Sequence, residues 1–219
     1  MKLNRSTIIA GGLVAATVGL ALWGYVRLPA DVAFPINYGL DGRPHGHVGK
    51  AIGLAIMPAV SAGVTLLLMA LPRIAPNRKG LDASTGFFGL LISSLAGLFL
   101  VSEAALIAMG FDPSFDVLRW VFLATAVLLL LVGNMLGKVR HNYVFGIKTP
   151  WTLADARVWD KTHRFAGRLM VLGALVLSAV AAFRPDHWLL IVVLVSAAAG
   201  PFIAGAVYSR LVASAPSQA

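Results

Sequence analysis

Six apolar runs, each close to twenty residues long, leave this chain few ways to fold. They cover residues 7–25, 52–71, 87–109, 117–136, 165–183 and 188–208. A hydrocarbon core about 30 Å thick is crossed by roughly 20 apolar residues in an α-helix. Inside it, only a helix or a closed barrel satisfies every backbone polar group without water. The runs are continuous rather than alternating, which argues against a barrel. Composition agrees, with 58% hydrophobic and 12% charged residues, where a soluble domain carries about 25% charged. The expected class is an all-α integral membrane protein, a six-helix transmembrane bundle. Lys2 and Arg5 before the first run resemble the start of a signal peptide. The run is long, however, and Trp23-Gly24-Tyr25-Val26-Arg27 offers no small-residue cleavage site, so it is expected to be retained as a span.

The basic residues orient the bundle. With the N-terminus inside, the inner segments hold 13 Lys and Arg, and the outer ones hold 5: Arg27, Arg43, Lys50, Arg119 and Arg184. Basic residues accumulate on the cytoplasmic side, so both termini are expected in the cytoplasm. Tyr25, Trp120, Trp188 and Tyr208 fall near span ends, where amphipathic rings favour the interface. The net charge of +9 lies between apolar runs, which assigns it to the membrane rather than to nucleic acid. The chain has no cysteine, which removes disulfides and thiolate metal sites.

Two connections are long enough to hold function. The outer loop, residues 26–50, is rich in turn formers: Pro29, Pro35, Gly39, Asp41-Gly42, Pro44 and Gly46. The inner loop, residues 137–164, is the most polar part of the chain. Asp112-Pro113-Ser114 and Arg184-Pro185-Asp186 read as tight outer turns. Asp82 and Ser84 are placed to cap the third span. In the inner loop Pro150 disfavours helix at Thr149, so Thr152 is expected as an N-cap with Asp155 completing a capping box and a helix starting near Leu153. Arg157, Lys161, Arg164 and Arg168 then form one basic stripe suited to anionic membrane lipid. Trp159 and His163 lie one turn apart on another face.

The stretch Gly133-Asn134, then Asn142-Tyr143-Val144-Phe145-Gly146-Ile147-Lys148-Thr149-Pro150-Trp151-Thr152-Leu153, then Val158-Trp159 and Thr162-His163-Arg164, closely resembles the signature of the SdpI family. Leu28-Pro29, Asn37, Gly42 and Pro44 fit the family's N-terminal loop approximately, with Pro35 standing where that loop carries a histidine. The resemblance implies a six-span protein of the bacterial inner membrane that confers immunity to a secreted killing peptide. It also implies signalling to a cytoplasmic repressor. On this reading residues 1–72 form a two-span module and residues 73–219 a four-span module. The candidate ligand- or partner-binding residues are Asn134, Asn142, Tyr143, Gly146, Lys148, Thr149, Pro150, Trp151, Trp159, His163 and Arg164.

Glu103 is the one acidic residue inside any run. Placing a charge at the bilayer centre costs about 2.5 kcal/mol or more, so an intramembrane carboxylate is a functional candidate by default. It supports an alternative reading as a small transporter or channel. A hydrogen bond to a facing helix is the structural alternative for Glu103, and also for Asn134. His45-x-His47 near Asp41, and the pair His141 and His163, are the nearest approach to metal ligands. Both read as ordinary loop histidines, and no metal or cofactor is expected. Neither His-Glu-x-x-His nor Gly-x-Ser-x-Gly occurs, so no catalytic residue is assigned. Pro58 and Pro201 lie inside spans and should kink them. Gly11, Ala15 and Gly19 form a small-residue face that allows close helix contact, expected to serve packing within the bundle, with a dimer contact as the alternative.

Overall fold

The computed structural model describes residues 5–74, 84–183 and 186–214. Asp82, Lys2, Arg78, Lys79, Arg184, Pro185 and the tail beyond Ser214 lie outside the described residues. Six helices among the described residues are long and apolar enough to cross a membrane. They are α1 (Arg5–Arg27), α2 (Lys50–Ile74), α3 (Thr85–Phe111), α4 (Val117–Leu136), α6 (Ala156–Ala182) and α7 (His187–Ser214). A short helix, α5 (Pro150–Ala154), precedes α6. The chain is therefore an all-α, multi-pass membrane protein. Tyr25, Trp120 and Trp188 stand exposed at helix ends, and α2 and α7 run on through Pro58 and Pro201.

Two groups of helices make the bundle. In one, α1, α2 and α3 pack on one another; in the other, α6 packs on α4 and α7; α3 against α4 joins the two. α1 and α3 run parallel, since the position of Gly89 abuts Ser6 and that of Gly24 abuts Ile107. These glycines, not the Gly11-Ala15-Gly19 face, admit the neighbouring helix. Gly11 and Gly19 have nothing within 4 Å where a Cβ would stand, and all three residues are exposed. The expected packing role of that face is corrected: a small residue permits close approach but does not attract it.

The loop between α1 and α2, expected on the outer side, holds a hairpin that its turn residues alone did not signal. β1 (Ala33–Tyr38) pairs antiparallel with β2 (Pro44–Gly49), in the register Phe34–Val48 and Asn37–His45. The turn closes through Gly39 N–H to the Arg43 carbonyl at 2.9 Å, with Gly42 at φ +74°. One residue seats the hairpin. Phe34 is 1% exposed, and its ring fills the space that side chains at Gly53 of α2 and Gly110 of α3 would otherwise take. The driving force is burial of one large aromatic at the end of the α1–α3 group, worth roughly 1.5–3 kcal/mol.

The helix start in the inner loop differs from expectation by three residues. Thr149, not Thr152, is the N-cap, and its side chain and that of Thr152 form a reciprocal capping box. Proline is well suited to the first helical position because its missing N–H would have no partner there. Thr152 is occupied in that box and also donates to the Ile147 carbonyl at 2.8 Å. Asp155 ends α5 and caps α6, accepting from the Arg157 N–H at 2.7 Å.

Candidate functional site

Residues 137–149 form no helix, yet Asn142, Lys148, Thr149, Thr152, Trp159 and His163 of the signature are bonded within the loop or to the helices beneath it, while the buried Thr162 hydroxyl has no partner among the described residues. Asn142 is buried; its Oδ1 accepts the N–H groups of Val144 (2.8 Å) and Phe145 (3.0 Å), and its Nδ2 donates to the Arg140 carbonyl at 2.9 Å. The Phe145 ring stacks on Phe87 and Phe88 of α3. Arg140 N–H donates to Ser84 Oγ at 3.0 Å, tying the loop to the start of α3. Thr149 Oγ1 lies 2.9 Å from Ser209 Oγ, tying it to α7.

At the centre lie Trp159 and His163, both fully buried on α6. The Trp159 indole donates to the Val139 carbonyl at 2.8 Å and stacks on His163 with ring centroids 4.0 Å apart. His163 Nε2 accepts the Ile147 N–H at 2.9 Å, and Nδ1 is 2.8 Å from the Trp159 carbonyl. The amide can only donate, so the ring is the neutral tautomer with its proton on Nδ1. Gly146, at φ +117°, passes so close that a Cβ would come 2.5 Å from His163 Nε2. His141 closes the edge, with its ring 5.0 Å from Trp159 and Nε2 3.1 Å from the Leu153 carbonyl. Both histidines are thus engaged with backbone groups, and no group of three metal-ligating side chains occurs among the described residues.

The signature divides into two sets. Asn142, Thr152, Trp159 and His163 are buried, with Gly146 and Thr149 partly so; Asn134, Tyr143, Lys148, Pro150, Trp151 and Arg164 are exposed. Tyr143 is 50% and Trp151 37% exposed, while the loop carbonyls of Tyr143 and Val144 accept from Lys148 Nζ. Such a loop is a stiff platform presenting two aromatic rings and basic groups. Arg164 and Asn134 lie together beside the close contact of α4 and α6, where a Cβ on Gly167 would meet the Gly133 carbonyl at 2.6 Å.

Glu103 is placed deep in the α1–α3 group, with 0% exposure and no hydrogen-bond partner for either carboxylate oxygen among the described residues. Ser61 of α2 is equally buried and its hydroxyl equally unpartnered. Phe34 touches both Gly53 and Gly110. Counting back along the helices at about 1.5 Å per residue places Ser61 and Glu103 at nearly the same depth.

At the opposite end the structure gathers residues with no shared sequence signal. A cleft of about 550 Å³ is lined by the hairpin and the α3–α4 turn, with Tyr38, His47, Asp116 and His187 among its walls. His187 Nε2 lies 3.7 Å from Asp116 Oδ1, and the His187 ring occupies the space beside Gly42. Burial first, and then the Asp116 charge, raise the pKa of the Tyr38 hydroxyl above its ordinary value. In the same turn Ser114 bonds Asp112 through its hydroxyl (2.7 Å) and its N–H (2.9 Å), which lowers the Asp112 pKa.

Comparison with known proteins bears on the inner loop most directly. Residues 138–205 match the model of the SdpI/YfhL protein family. Over 195 residues the chain is 24% identical to the Immunity protein SdpI of Bacillus subtilis (strain 168), covering 88% of each chain. No solved structure matches. The segment that forms the inner loop and much of its supporting helices is the part similar to the SdpI/YfhL family, and the likeness to Immunity protein SdpI extends over most of the chain.

Proposed function

We propose that this chain is an immunity protein of the bacterial cytoplasmic membrane, with both termini in the cytoplasm, protecting its cell from a secreted antimicrobial peptide. The observation that carries the reading is the similarity to Immunity protein SdpI over 88% of both chains. Residues 1–72 then form the module bearing the outward hairpin, and residues 73–219 the module bearing the cytoplasmic platform. The role is binding, not catalysis. The peptide or its complex with lipid would be met on the outer side, and a cytoplasmic regulator by the exposed residues Tyr143, Lys148, Pro150 and Trp151. A deletion strain challenged with spent medium of its parent should lose survival at least tenfold and regain it from a plasmid copy; equal survival of deletant and parent overturns the reading. For signalling, Trp151→Ala should keep survival while losing peptide-dependent recruitment of the regulator to the membrane.

A second reading, as a small transporter or channel, is favoured by Glu103, whose buried carboxylate has no hydrogen-bond partner among the described residues. Glu103→Gln keeps shape and removes the acid. Loss of protection with normal membrane levels would assign the carboxylate a role in function; unchanged protection would leave it a structural one.

A further inference from the structure

The inner end of the α4–α6 contact holds a cleft of about 550 Å³ that includes Asn134 from the last turn of α4, Lys138 just past its end, and Arg164 and Arg168 from α6. Three cations line it and no acid does. Neither guanidinium has a hydrogen bond or a carboxylate within 4 Å among the described residues, and Lys138 Nζ reaches only the Met135 sulfur at 3.5 Å. The acids at this end are engaged elsewhere: Asp155 with Arg157 at 3.7 Å, and Asp160 with Arg140 at 4.0 Å. The carbonyl end of α4 supplies about half a negative charge, far short of three positive ones. Arg168 also lies inside the apolar run 165–183, and Asn134 inside the run 117–136, which places the cleft at the end of two spans, where lipid headgroups lie.

We propose that this cleft binds the phosphate of an anionic phospholipid headgroup, with the planar guanidinium groups of Arg164 and Arg168 gripping its oxygens and Lys138 and Asn134 closing the α4 side. The four-residue basic stripe visible in the sequence is thereby divided: Arg157 pairs with Asp155, and the site draws its third cation, Lys138, from the loop that leaves α4. The proposal stands apart from the immunity reading, and either can fail alone.

The test uses the full-length protein in nanodiscs of phosphatidylcholine doped with phosphatidylglycerol, with bound lipid counted by native mass spectrometry. Wild type should retain phosphatidylglycerol in preference to phosphatidylcholine. Arg164→Gln/Arg168→Gln should lower that preference by about 25-fold, and Lys138→Gln alone by about fivefold, at about fivefold per cation near an anionic surface. Arg157→Gln/Lys161→Gln removes the same charge outside the cleft and should leave the preference within twofold. Equal loss in that control, or no preference in wild type, overturns the site. So does inorganic phosphate that displaces phosphatidylglycerol at millimolar concentration, since the ligand would then be a soluble anion. Lys138→Gln tests the site from the loop after α4 even if the double arginine variant fails to assemble.

Discussion

At φ +117°, Gly146 occupies backbone space that side chains rarely enter, and His163 Nε2 stands 2.5 Å from where a Cβ would be. Gly146→Ala should therefore cost about 1–3 kcal/mol from backbone strain alone and push the loop off His163. Thermal unfolding in detergent should show a lowered midpoint, and Tyr143→Ala, which is exposed, should show almost none. The density of the motif made all its residues equal candidates in the sequence. Burial separates them: Trp159 and His163 hold the Val139 carbonyl and the Ile147 N–H, while Tyr143 and Trp151 face outward. That division depends on contacts 16 to 20 residues apart, which no local pattern encodes.

Helices fare better, because a span is set by the length of its own apolar run. Their ends depend on which of several capping residues wins, and Pro150 decided in favour of Thr149. Their mutual contacts are less legible still. Gly19 and Gly167 look alike as small residues on a helix face, yet Gly167 abuts the Gly133 carbonyl and Gly19 meets nothing within 4 Å. Gly167→Val should force α4 from α6 and destabilise the fold by about 1–3 kcal/mol. Gly19→Val should change stability by less than about 0.5 kcal/mol. Unfolding of both variants in the same detergent checks the contrast, and a Gly19→Val loss as large as that of Gly167→Val would contradict this packing.

For the molecule as a whole, sidedness is the property from which the proposed roles of the two ends follow. The chain lacks cysteine, so single cysteines report without background. With both termini in the cytoplasm, Ile36→Cys in the hairpin should react with a membrane-impermeant maleimide on intact cells, and Tyr143→Cys should react only after permeabilisation; the reverse pattern would invert the bundle. The outer cleft was illegible beforehand, since Tyr38, Asp116 and His187 come from three distant segments and meet because Phe34 seats the hairpin on α2 and α3. By itself the sequence determined the membrane class, the six spans and the loop that carries the family pattern. Each of these is a property of contiguous residues: apolar length set against bilayer thickness, and a dense run of particular side chains. Only the tertiary structure decided which glycines admit a neighbour, which signature residues are inside, how deeply Glu103 is buried and how two cations of α6 and one from the loop after α4 come to share one cleft. Those outcomes depend on which faces of separate helices meet, and a local pattern carries no record of that.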